Sequence, residues 1–149
     1  MPPVSGTPAA PVALKAIRPV ASPGPNAPVV LVVEDEDELR VMLAKMLGAT
    51  FTVYAASDGL AALDLLAQIP TPDAIVLDVM MPRLDGLAVG KSIKTDPRLE
   101  RVPILYLTAK TGPYDIVAGI NAGARHYLTK PFKMPDLLAR LNAMVARPV

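Results

Sequence analysis

The sequence predicts an α/β fold: an open parallel sheet with helices on both faces. Three observations predict it. Five strand-like runs alternate with five segments of helical periodicity between residues 29 and 146, the pattern of repeated strand–helix units. The first run, Val29-Val30-Leu31-Val32-Val33, is apolar throughout, as a strand buried on both faces requires. The polar residues that stand out, Glu34, Asp35, Asp78, Thr108 and Lys130, all sit at the carboxyl ends of such runs. Open parallel sheets bind their ligands at that edge.

Each element carries its own signals. The first strand is Val29–Val33. Leu39, Met42, Leu43, Met46 and Leu47 follow at the spacing of an apolar helix face, with Glu36 or Asp37 at the start and Gly48 to end it. Phe51–Ala55 reads as the second strand. Asp58 then opens a helix whose inner side carries Leu60, Leu63, Leu66 and Ala67, and which ends before Pro70. Ala74–Asp78 is the third strand. A weaker helix runs from about Gly86 to Lys94. Pro103–Thr108 is the fourth strand. Ile116, Val117 and Ile120 mark a short helix that stops by Gly123. Tyr127–Thr129 is the fifth strand. Leu137, Leu138, Leu141, Met144 and Val145 line the last helix, and Pro135 suits its first turn.

Composition narrows the function. The 149 residues suffice for one domain with a sizeable core. Residues 1–28 form a proline-rich extension (Pro2, Pro3, Pro8, Pro11, Pro19, Pro23, Pro25, Pro28), expected to be disordered because proline lacks an N–H and fixes φ. The folded domain is expected over 29–147. A formal net charge of +1 gives no nucleic-acid footprint, so no direct nucleic-acid partner is expected. Of 15 basic residues, Lys15 and Arg18 lie in the extension, leaving 13 against 14 acids in the body. A mildly acidic body suits a metal or a kinase better than DNA. The absence of cysteine excludes disulfides and thiolate metal sites, and is compatible with the cytoplasmic location expected here. No apolar run approaches the ~20 residues of a membrane span. The N-terminus lacks the pattern of a signal peptide.

The strand ends carry the chemistry. Asp78 closes the apolar run Ala74-Ile75-Val76-Leu77, and a carboxylate there is costly to bury without a charged partner. Glu34 and Asp35 directly terminate a buried strand, whereas Glu36, Asp37 and Glu38 fit a solvated, helix-capping run. Convergent carboxylates without histidine or cysteine suit a hard cation such as Mg2+. Asp78 is either a turn aspartate or a nucleophile that forms an aspartyl phosphate. Lys130, followed by Pro131, is either a surface lysine or a phosphate counterion, and Lys130-Pro131 is a candidate cis bond that would aim it inward. The Thr108 hydroxyl either caps the next segment or bonds a phosphoryl oxygen. Tyr127 reads as sheet packing, and His126 as an edge histidine.

These residues, in this order, resemble the receiver domain of two-component response regulators. The matching stretches are VVLVVEDE, IVLDVMMPRLDG, ILYLTAK and YLTKPF, at four successive strand ends from about Pro28 to Ala146. The resemblance implies a flavodoxin-like (βα)5 sheet in the order 2-1-3-4-5. It implies that Asp78 is the phosphoacceptor, Asp35 a direct Mg2+ ligand and Glu34 a ligand acting mainly through water. Met80 would give its backbone carbonyl to the metal. Thr108 resembles the switch hydroxyl, Lys130 the phosphate-contacting lysine and Tyr127 the switch aromatic. Two departures stand out: Arg125-His126 replaces residues that are commonly acidic, and the proline-rich extension lies outside the family pattern.

The expected function is a phosphorylation-activated switch, not an enzyme. A phosphohistidine on a sensor histidine kinase or phosphotransfer protein would be the donor. The face built from the fourth helix, fifth strand and fifth helix (α4-β5-α5 in the family's terms) would change its affinity for a downstream protein. A monomer or a weak phosphorylation-dependent dimer is expected. The chain stops at Val149, just past the last helix, so a stand-alone receiver is expected. Two rivals remain at this level. An aspartate-nucleophile phosphohydrolase would need a second aspartate two residues after Asp78, where Met80 stands. A phosphorylation-independent interaction module would show the loss of a pocket residue.

Overall fold

Continuous apolar runs can only be buried inside a sheet covered on both sides. In the computed structural model, which describes residues 17–81, 85–109 and 126–146, that is where they lie. The strands are β1 (Val29–Val33), β2 (Thr52–Ala56), β3 (Ala74–Asp78), β4 (Ile104–Ala109) and β5 (His126–Lys130). All neighbours pair in parallel, in the order β2-β1-β3-β4-β5. The flavodoxin-like α/β fold expected from the sequence is therefore the fold observed. Four helices are described: α1 (Asp37–Leu47), α2 (Gly59–Leu66), α3 (Gly86–Lys94) and α4 (Met134–Val145). The helix expected around Ile116–Ile120 lies outside the described residues, so the last helix is α4 here.

Alternation along the strands divides the core into two layers. Val30, Val32, Val76, Leu105 and Leu107 face α1 and α4, meeting Leu43, Leu47, Leu137 and Leu141. Leu31, Val33, Ile75, Leu77 and Tyr106 face α2 and α3, meeting Ala62, Leu66, Val89 and Ile93. The β3 strand is buried at all five positions, Asp78 included.

Several local expectations need correction. In α1 the buried residues are Leu43, Ala44 and Leu47, while Met42 and Met46 are exposed. In α2 the inner face is Gly59, Ala62 and Leu66, continued by Ile69; Leu60 and Ala67 point outward. Small residues at Gly59 and Ala62 let the helix approach the sheet closely and carry no leucine signal, whereas Leu66 is buried as expected and Leu63 packs partly against the core. Phe51 is fully buried but precedes β2: its N–H donates to Leu47 O at 2.8 Å, closing the turn after α1. Asp58 caps α2 as expected, accepting from Ala61 N at 2.8 Å.

Part of the proline-rich extension carries fixed contacts. Val20 N donates to Val53 O, and Val53 N to Ala21 O, each at 2.8 Å, forming an antiparallel bridge on the outer edge of β2. Ser22 Oγ lies 2.7 Å from Thr52 Oγ1, and Ile17 packs against the core. An edge strand presents unpaired N–H and C=O groups, and residues 20–21 satisfy two of them. Residues 1–16 lie outside the described residues.

Candidate functional site

Parallel strands all end at the same edge, so residues distant in sequence are brought together there. Glu34 follows β1, and Asp78 ends β3 beside it. Lys130 ends β5, two strands away from β3, and reaches back across β4. Lys130 Nζ lies 3.0 Å from Glu34 Oε1 and 3.3 Å from Asp78 Oδ2. The Lys130–Pro131 peptide bond is cis.

Glu34, Asp78 and Thr108 are the buried polar residues of the described core, at 1%, 2% and 3% exposure. Each carboxylate has partners. Glu34 Oε2 accepts from Glu36 N at 3.1 Å, and Asp78 Oδ1 accepts from Met80 N at 3.0 Å. Oxygens of Glu34, Asp35 and Asp78 lie within 4.8 Å of one another. Burial pushes the Asp78 carboxyl up to about 7, and the Glu34 charge adds to it; Lys130 and the Met80 N–H pull the other way. Burial alone would lower the Lys130 ammonium, but Glu34 and Asp78 outweigh it and hold it above its usual value.

The structure thus gathers Glu34, Asp35, Asp78 and Lys130 in one pocket, with the Met80 backbone at its rim. Three converging carboxylates, all oxygen donors, fit a hard divalent cation. Thr108 sits near the end of β4, one residue past Leu107, the register partner of Asp78. Tyr127 lies further from the edge, paired with Tyr106. Arg125 lies outside the described residues.

Two residues that hold the site were not found from sequence. Arg40 donates to Glu34 O at 3.0 Å and to Asp37 Oδ1 at 2.6 Å, fastening the β1 end to α1. Nothing in its position marks it beforehand. Gly86 begins α3 against the site: a Cβ there would fall 2.8 Å from both Asp78 C and Val79 Cα. The Asp85-Gly86 pair was a usable signal, since glycine permits close backbone approach. Asp85 caps the same helix, accepting from Ala88 N at 2.9 Å. Beside the site an apolar pocket of about 430 Å³ is lined by Leu39, Met42, Ala109, Lys130, Pro131 and Phe132.

An open parallel sheet in the order β2-β1-β3-β4-β5, with an acidic, lysine-bearing pocket at its carboxyl edge, defines a doubly wound, flavodoxin-like α/β domain. Its sequence matches the response regulator receiver domain over residues 30–142, and the chain belongs to that family. It is 46% identical over 119 residues to the response regulator MprA of Mycobacterium sp. (strain KMS), a match covering 79% of this chain. The chain spans about half the length of the curated relatives it matches, 50% in that case. A chain described as a response regulator from Chloroflexus aurantiacus superposes with a TM-score of 0.76 at 36% identity, covering 82% of this chain and all of that one (100%). The receiver domain of a sensor histidine kinase from Pseudomonas aeruginosa, solved with a magnesium ion in its active-site cleft, gives a TM-score of 0.74 at 30% identity, over 81% of this chain and 99% of that one. Among the described residues no helix is long and apolar enough to cross a membrane.

Proposed function

We propose that Asp78 accepts a phosphoryl group from a phosphohistidine of a sensor kinase or phosphotransfer protein, in a Mg2+-dependent reaction, and that this switches the domain's affinity for a protein target. The observation that carries the reading is the meeting of Asp78 with Lys130, Glu34 and Asp35 at one sheet edge. An Asp78 oxygen attacks phosphorus; the P–N bond to the donor imidazole breaks, and its electron pair stays on that nitrogen. Lys130, anchored by Glu34, stands where it can neutralise a phosphoryl oxygen. Mg2+, when bound by Glu34, Asp35, Asp78 and the Met80 carbonyl, supplies the remaining charge neutralisation. The magnesium ion of the Pseudomonas neighbour supports that assignment.

After transfer, the Thr108 hydroxyl moves to bond the phosphoryl group and Tyr127 moves inward. The face of the fourth sequence-predicted helix, β5 and α4 then changes its packing, a population shift driven by local charge. The protein acts in the cytoplasm as a monomer or a weak phosphorylation-dependent dimer, and signals by protein contact.

A phosphohydrolase is disfavoured because Met80, an exposed residue with no acid/base group, stands where the acid/base would be. A phosphorylation-independent module is disfavoured because every pocket residue is present. The test is incorporation of acid-stable, base-labile phosphate from acetyl phosphate with and without Mg2+. Labelling that Asp78→Asn abolishes supports the reading; undiminished labelling of Asp78→Asn refutes it. Sustained phosphomonoester turnover would favour the phosphohydrolase, and unchanged target binding by Asp78→Ala the phosphorylation-independent module.

A further inference from the structure

Alternation along β4 turns Ile104, Tyr106 and Thr108 to one face of the sheet, the face covered by α2 and α3. In the β4–β5 register Tyr127 stands opposite Tyr106, and Thr129 opposite Thr108. The line from Tyr127 toward Thr108 is therefore a diagonal of the ladder that starts beside Tyr106. The Tyr106 and Tyr127 rings stack, with centroids 6.0 Å apart and planes inclined by 30°. Tyr106 is buried while Tyr127 is half-buried, so Tyr106 is the more tightly enclosed ring of the pair.

What fixes Tyr106 is on α3. A Cβ placed on Gly90 would lie 2.9 Å from Tyr106 Cζ and 3.3 Å from Cε1, and closer still to the phenol oxygen. Gly90 lies inside the helix, where glycine is disfavoured relative to alanine. Its φ is not in the left-handed region, so the backbone has no need of glycine. The space it leaves is filled by the tyrosine ring. Burial, with smaller contributions from Tyr127 and Asp85, pushes the Tyr106 phenol up to about 12, so the ring packs there uncharged.

We infer that Tyr106, backed by Gly90, is a positioning residue for Tyr127: it sets the resting place of that ring and its path toward Thr108. This rests on the switch role proposed for Tyr127 and adds to it a link from α3. A ring pushed outward by a side chain at residue 90 would carry Tyr127 with it. A shorter side chain at residue 106 would let Tyr127 turn inward without phosphorylation.

The full chain labelled with 3-fluorotyrosine tests this by fluorine NMR, with the Tyr127 resonance assigned through Tyr127→Phe. Spectra are taken before and after acetyl phosphate and Mg2+, and phosphate on Asp78 is measured in parallel. Gly90→Ala is expected to shift the resting Tyr127 resonance and remove most of its phosphorylation-dependent shift. Adding Tyr106→Phe, which deletes the closest clashing atom, is expected to restore much of that response. Tyr106→Leu is expected to move the resting resonance toward the phosphorylated position and provides the test should Gly90→Ala not fold. Phosphate uptake stays at the wild-type level throughout. A wild-type response that Tyr106→Leu and Gly90→Ala both leave intact overturns this inference alone. A wild-type Tyr127 resonance that ignores phosphorylation of Asp78 overturns the switch reading and the inference together.

Discussion

Lys130 Nζ stands 3.3 Å from Asp78 Oδ2, although β4 separates the strands that carry the two residues. The ammonium bridges the carboxyl edge and also binds Glu34, so one side chain offsets two buried carboxylates. Removing one member of a buried, hydrogen-bonded charge group leaves the others unpaired. Lys130→Ala is therefore expected to lower the stability of the metal-free protein by ~1–3 kcal/mol at neutral pH. The carboxylates remain, so the Mg2+ binding proposed above is expected to persist in this variant. Urea unfolding in chelator checks the first expectation, and a Mg2+ titration of the same variant the second. Target binding that depends on phosphorylation is expected to be lost, and wild-type signalling by Lys130→Ala would remove the lysine from the mechanism.

The raised Asp78 pKa sets a sign for the pH dependence. Its carboxyl has an ordinary value of 3.8 and is pushed up to about 7 in the fold. Between those values the native state holds a proton that the unfolded chain has released. Stability from this group is thus greatest below pH 3.8 and is lost as pH rises toward about 7. Asp78→Asn cannot ionise and is expected to stabilise the metal-free protein at pH 8 by on the order of 2 kcal/mol. The gain should vanish near pH 4, when both side chains are neutral. Mg2+ should reverse the ranking, because a cation that binds only the native wild type stabilises it by about 2.7 kcal/mol at a hundredfold excess over Kd. Thermal unfolding across pH, with Mg2+ or chelator, reads all three. A flat difference between the variant and the wild type would show that Asp78 is ionised throughout.

How much of this was legible beforehand follows from which signals are local. The strands are continuous apolar runs, so Val29–Val33 and Ala74–Asp78 are read to the residue. The site residues terminate such runs, and a shared strand direction brings their ends together whatever their separation in sequence. The β2-β1-β3-β4-β5 order is a long-range property and came only through the family resemblance. Helix faces failed where small residues form the contact: Gly59 and Ala62 carry no hydrophobic signal, yet they face the sheet. Arg40 and Gly86 were missed for related reasons. One acts through backbone carbonyl contact, and the other through the side chain it lacks.

Gly86 yields a direct test of that last point. It lies against the Asp78 and Val79 backbone, and its N–H donates to Val79 O at 2.9 Å. A methyl group has no space there, and the obstructing atoms are main chain that cannot rotate aside. Gly86→Ala is expected to cost ~1–3 kcal/mol through overpacking. It should also displace the Asp78 carbonyl and slow phosphate uptake. The control is Gly24→Ala, whose added Cβ meets nothing within 4 Å and should change neither. Equal urea midpoints for the two variants would mean that α3 can shift without disturbing Asp78.

The extension supplies the last test, because its contacts lie at the opposite side of the sheet from Lys130. Two backbone hydrogen bonds join Val20 and Ala21 to Val53, and Ala21 also lies over Gly48. A net hydrogen bond contributes roughly 0.5–1.5 kcal/mol, and ordering the segment offsets part of that gain. Deleting residues 1–27 is therefore expected to leave a cooperatively folded domain that is less stable by ~1–2 kcal/mol. It also exposes the Val53 N–H and C=O on a strand edge, which invites pairing between copies. Sedimentation should then show concentration-dependent association of the truncated chain, absent from the full one. Phosphate uptake should not change, since the contact between the site and β2, Glu34 N donating to Ala56 O at 3.1 Å, is not one that residues 1–27 make. A Gly48→Ala variant of the full chain would crowd Ala21 and is expected to reproduce part of the association. A truncated chain with unchanged urea midpoint and no association would show that residues 20–21 contribute nothing to the edge they cover.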